Sequence, residues 1–227
     1  MCFSTTASFA SSAVLAIIGV ASVKNVETKS QLLFACIPFL FSLQQLTEGF
    51  VWFTMLNPEY LYLQHIAIHI FIIFAQVVWT IYVPLSFYVM EKNAQRKKAL
   101  RILVAIGIVP SVYISYCLFF YPISATIMPY HIHYNIDFPN LQASILGLFY
   151  FLPIILPSLI SSVRRTSILG ILLLVSFLFT KLYYNDYVIS VWCFFSALIS
   201  GLVVLILYEL RIESKSNFVY KGNLISR

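Results

Sequence analysis

Seven apolar stretches, each long enough to cross a bilayer and joined by short connections, constrain this chain more than any other feature. A helical span needs about 20 mostly apolar residues. The stretches cover approximately residues 6–23, 31–55, 61–90, 99–121, 141–161, 167–183 and 187–210. Composition agrees: 61% of residues are hydrophobic, 10% are charged and the mean hydropathy is +0.91. A soluble domain carries about one quarter charged residues, so a water-soluble enzyme, a disordered tail and a small disulfide scaffold are excluded. The expected fold is all-α, a polytopic transmembrane bundle of seven helices forming a single domain over 1–210, with a short basic cytoplasmic tail over 211–227. The third stretch is long enough to tilt, and Pro84 is expected to kink its inner end. No basic residues precede the first stretch and it shows no small-residue cleavage pattern, so it reads as a retained helix rather than a signal peptide.

Basic residues gather where translocation fails, on the cytoplasmic side. Lys24 and Lys29 follow the first stretch, and Lys92, Arg96, Lys97, Lys98 and Arg101 follow the third. Arg164 and Arg165 follow the fifth, and Arg211, Lys215, Lys221 and Arg227 follow the seventh, leaving only Lys181 on the opposite side. This pattern places the N-terminus outside and the C-terminus inside a plasma membrane, in a bacterium the inner membrane. It also accounts for the net charge of +6 without nucleic acid. The expected partners are membrane lipids, with a homo-oligomer or an unidentified membrane partner left open. Cys2, Cys36, Cys117 and Cys193 show no C-x-x-C pairing, so they are not a zinc framework. Whether Cys2 pairs with Cys117 or Cys193 stays open.

The four histidines fall in the outer half, together with Glu48, Glu59, Asp137 and Asp186. Glu48 lies inside the second stretch, where a carboxylate costs about 2.5–3.5 kcal/mol and faces a bundle interior or cavity. Gln44, Glu48 and Trp52 recur every four residues and share a helix face. His65 and His69 share a face of the third stretch, which Gln76 continues. A short connection makes the two helices antiparallel neighbours, with Glu48 and His69 at similar depth. Two imidazoles at i, i+4 with a carboxylate fit zinc or another divalent transition metal. The same residues also fit a structural polar cluster, or a metal-free path for a ligand or proton. The long outer connection carries His131, His133 and Asp137. If extended, it turns both histidines to one face, as a lid or as further ligands, or as a solvated aromatic segment. Ser190, Ser196 and Ser200 read as small residues for helix packing.

The opening Met1-Cys2-Phe3-Ser4 is followed by Ala7-Ser8-Phe9, Gln44-Gln45-Leu46, Glu48-Gly49 and Trp52. With Trp79, Val83-Pro84-Leu85 and Glu91, the chain resembles an uncharacterised, mostly bacterial family of seven-helix membrane proteins, a domain of unknown function. The resemblance implies the seven-helix architecture and brings no activity. It draws attention to Cys2, on the same outer side as Glu48, as a metal ligand or nucleophile. No retinal is expected, because residues 187–210 contain no lysine. Ceramidase-like and adiponectin-receptor-like hydrolases place their H-x-x-x-H pair in the last helix, which here has no histidine, so they offer an analogy of site type only.

Two functions follow. One is a metal-dependent hydrolase acting on a lipid or small amphiphile, with Glu48 as ligand or general base and His65 and His69 as ligands. The other is a metal-free transporter or sensor binding a proton, cation or small ligand through the same residues. Against transport, the chain has no internal repeat and no inner ionisable residues to complete a route.

Overall fold

The computed structural model describes residues 4–128, 131–136, 138 and 143–225. Its helical segments build seven rods. The first is α1 (Thr5–Lys24). The short α2 (Leu32–Ala35) leads into α3 (Ile37–Leu56) as the second. The third joins α4 (Leu61–Ile72) to α5 (Trp79–Met90) through a π-helical turn, Ile73–Val78. Then come α6 (Ala94–Phe120), α7 (Ala143–Ile160) and α8 (Thr166–Tyr183). The last rod is α9 (Val188–Ile199) followed by α10 (Leu202–Ile225). Six rods are long and apolar enough to cross a membrane, and α7 contributes a shorter apolar helix, Gly147–Ile160. Each apolar stretch in the sequence thus has its rod. Residues 211–225 extend the last one.

The fold is mostly helical rather than all-α. The connection after α6 forms an antiparallel hairpin of β1 (Ile123–Met128) and β2 (His131–Ile136). Ile123 lies opposite Ile136 and Met128 opposite His131. Alternation explains why it stays on the protein: Ile132 and Tyr134 are buried, and Tyr134 stacks on Phe71 of α4 at 4.8 Å. The bundle therefore has a hairpin end. At the other end Arg211 meets the Lys24 carbonyl, Asn25 and Glu27, so the basic connections gather there.

Small residues set the closest approaches. The buried face of α1 is Ser8, Ser12, Leu15, Gly19 and Ser22. It lies antiparallel on α3, where Ser12 Oγ donates to the Ser42 carbonyl at 2.9 Å and Ser42 Oγ to the Ser12 carbonyl at 2.8 Å. Gly49 holds the ring of Phe9 at 2.6 Å from where a Cβ would stand. On the other side of the bundle, Pro84 within α5 has no N–H to offer the Thr80 carbonyl. Gly107 of α6 packs on that same carbonyl, so close that a Cβ would stand 1.9 Å from its oxygen.

The expected kink at Pro84 is accompanied by a different irregularity, the π turn, which the sequence did not announce. A widened turn leaves carbonyls without their usual partners. Here hydroxyls supply them: Tyr150 of α7 donates to the Ala75 carbonyl. Thr80 Oγ1 and Ser111 Oγ lie 2.9 and 3.0 Å from the Val77 carbonyl.

Candidate functional site

The predicted face of α3 points into the bundle. Gln44, Gln45 and Glu48 are fully buried and Trp52 nearly so. Glu48 Oε1 accepts from Ser190 Oγ of α9 at 2.7 Å, and Oε2 accepts from Gln45 Nε2 at 3.2 Å. Gln44 Oε1 accepts from Trp79 Nε1 of α5 at 2.7 Å, and Trp79 stacks on Phe41 at 4.0 Å. Cys193, one turn beyond Ser190 on α9, lies within electrostatic reach of Glu48. The cluster thus ties α3, α5 and α9 together. Gln44 also meets the Cys193 thiol, and among the described residues the cluster leaves Gln45 Oε1 and Trp52 Nε1 buried without a hydrogen-bond partner. Most buried polar atoms are paired, so two orphans on one helix mark this cluster as unusual.

Cys193, beside this cluster, also lines a cavity of about 260 Å³ bounded by Gln76 of the π turn, Gly147 and Tyr150 of α7, and Ile189 and Trp192 of α9. Tyr150, Trp192 and Cys193 also line a second, apolar space of about 40 Å³ that runs inward beside Phe41 and Trp79. Trp192 meets Phe177 edge to face at 5.5 Å and lies tilted against Phe151 at 5.3 Å. A side chain at Gly147 would meet nothing within 4 Å.

The histidines of α4 do not join Glu48. His65 is exposed, and His69 Nδ1 donates to the His65 carbonyl of its own helix at 2.7 Å. The reason is rotational. The buried face of α4 is Ala67, Ile68, Phe71 and Ile72, so apolar packing against α3 and the hairpin fixes the helix with His65 turned away. Among the described residues no group of three or more His, Cys, Asp or Glu side chains is placed to hold a metal ion. The expected ligand set of Glu48, His65 and His69 is therefore not assembled. Cys2 and Asp137 lie outside the described residues, while Cys36, Cys117 and Cys193 are free thiols.

The hairpin histidines are docking groups in this fold. His131 is 8% exposed, stacks on Tyr187 at 4.9 Å and meets the edge of Tyr184 at 5.3 Å. His133 Nδ1 donates to the Asp186 carbonyl at 2.8 Å. Both face the turn Asn185–Tyr187 before α9, as alternation required, and His131 is not the solvated residue considered above. Burial pushes its imidazole below the usual histidine range.

Two participants escaped sequence reading. Ser190 reads from sequence as a packing residue, whereas its bond to Glu48 joins positions 142 apart in the chain. Glu91 is 1% exposed at the basic end. It accepts from the backbone N–H groups of Lys92, Asn93 and Ser162 and from the Ser161 and Ser162 hydroxyls. Burial opposes its charge. The Ser162, Asn93 and Ser161 donors outweigh burial and hold the carboxyl below the usual glutamate range.

No curated protein and no solved structure matches the chain. A family of unknown function, DUF6629, matches residues 1–218. The chain belongs to that family, whose shared sequence spans all seven rods.

Proposed function

We propose that the protein is a metal-free membrane receptor or carrier for a small amphiphile, held between the π turn, α6, α7 and α9. The carrying observation is a cavity with aromatic walls that shares Cys193 with the buried polar cluster around Glu48. An apolar body would lie along Tyr150, Phe151 and Trp192, and a polar end would reach toward Gln76 and Cys193. Ligand sites combine apolar walls with a few convergent polar groups in this way. Glu48, held by Ser190 and Gln45, orients that polar cluster. The site lies toward the hairpin end, which the charge asymmetry makes the outer face. A metal-dependent hydrolase has less support, because His65 and His69 do not converge on Glu48.

Native mass spectrometry of protein released from its membrane tests this. The wild type should carry a small amphiphile, and Gly147→Phe, which fills open space, should lose it while retaining its thermal stability. An adduct that persists in Gly147→Phe, or a wild type that carries none, refutes the reading. Elemental analysis supplies the other arm: stoichiometric transition metal lost in Glu48→Gln would return the hydrolase.

A further inference from the structure

The end of the bundle opposite the hairpin holds a separate polar cavity of about 480 Å³. Its wall includes Glu27, Ser30 and Gln31 before α2, Lys92 before α6, Arg164 before α8, and Glu213 on α10.

The carboxylates on this wall are already engaged. Glu27 pairs with Arg211 at 3.0 Å and Glu213 with Arg164 at 2.9 Å. The Lys92 ammonium, in contrast, forms no ion pair among the described residues. Arg164 uses one Nη1 contact and keeps its other N–H groups. Gln31 spends its oxygen on the N–H groups of Glu27 and Thr28, which leaves its amide nitrogen to donate. Of the charges lining the cavity, Glu27 and Glu213 are each paired with an arginine, which leaves the Lys92 ammonium and the spare N–H groups of Arg164 to face an anion.

The loops that present these donors are fixed from beneath. The single Glu91 carboxylate binds the N–H of Lys92 on one loop and the N–H and hydroxyl of Ser162 on the other. Arg165 holds a left-handed backbone, φ 64°, which is strained for a non-glycine residue. Its guanidinium is paired with Glu209 of α10. A strained loop pinned on both sides, beside a cavity with spare cationic donors, is a preorganised anion site.

We propose that this cavity binds a phosphate-bearing group, with Lys92 and Arg164 as charged donors and Gln31 and Ser30 as neutral ones. The phosphate comes from a lipid headgroup or from a free phosphomonoester, since both present the same oxygens.

The test uses the full chain in phosphatidylcholine nanodiscs, titrated with dioctanoyl phosphatidic acid and, separately, with glycerol 3-phosphate. At least one probe should bind saturably, and Lys92→Gln and Arg164→Gln should each weaken it by about tenfold or more. Both residues are exposed, so thermal midpoints without ligand should stay at the wild-type value. Binding of phosphatidic acid alone identifies a lipid source, and binding of glycerol 3-phosphate identifies a free one. Lys98→Gln removes the same charge from exposed α6 and should bind as wild type. The proposal is overturned if neither probe binds, if the cavity variants bind normally, or if Lys98→Gln weakens binding equally.

Discussion

Replacing Gly107 by alanine tests the packing that carries the cavity. An ideal Cβ there would stand 1.9 Å from the Thr80 oxygen and 2.8 Å from its carbon. Ordinary contact starts at 3.4 Å, so α6 must retreat from α5 by about 1.5 Å (3.4 − 1.9). Both atoms it meets are backbone, and no side-chain rotation relieves the clash. Overpacking of this kind costs about 1–3 kcal/mol. The retreat also stretches the hydrogen bonds of Ser111 to Thr80, at 2.5 Å, and to the Val77 carbonyl, adding about 1 kcal/mol. The expected loss is about 2–4 kcal/mol in reversible unfolding of the detergent-solubilised protein. Gly147→Ala, with open space around it, is the control and should change stability by less than about 0.5 kcal/mol. A Gly107→Ala protein as stable as that control would refute the close crossing.

Further outcomes can be measured alongside. Ser190→Ala removes a donor from buried Glu48 and should lower unfolding stability by about 1–3 kcal/mol, checked in the same assay. His131 is held below its ordinary value of about 6.5 by burial. Hairpin docking is therefore full above that pH and weakens as pH falls below it. The protection factors of amides in residues 123–136, corrected for the intrinsic slowing of exchange in acid, should fall between pH 7.5 and 5.5 in the wild type, and less so in His131→Gln. Glu91 has the depressed carboxylate of a well-bonded site, so its contribution is full above about pH 4.3 and is lost as pH falls through its lower folded value. The thermal midpoint of the wild type should fall more steeply with acid than that of Glu91→Gln.

The rods were legible because hydropathy over about 20 residues is a local property. The buried face of α3 was legible too, since Gln44, Glu48 and Trp52 obey the helical period and a carboxylate must turn inward. Partners across the bundle were not. The spacing of His65 and His69 places them on one face, but rotation of α4 is decided by what packs against Ala67, Ile68 and Phe71, and no local pattern encodes that. Ser190 looked like any small residue until Glu48 stood beside it. Glu91, quoted only as part of a motif, proved to be a brace because its donors Ser161 and Ser162 arrive from 70 residues away. The hairpin hid in a connection whose strands are each 6 residues long, where alternation is visible but pairing is not.

The π turn at Ile73–Val78 acts as a phase shifter within one continuous rod. A single extra residue advances everything beyond it by about 100° relative to an unbroken helix. The faces of α4 and α5 are therefore set independently: α4 presents Phe71 to the hairpin, and α5 presents Trp79 to Gln44. Deleting one residue from the turn would restore regular winding while swinging one of those faces out of the bundle. The hydroxyls of Tyr150, Thr80 and Ser111 are what keep that offset locked.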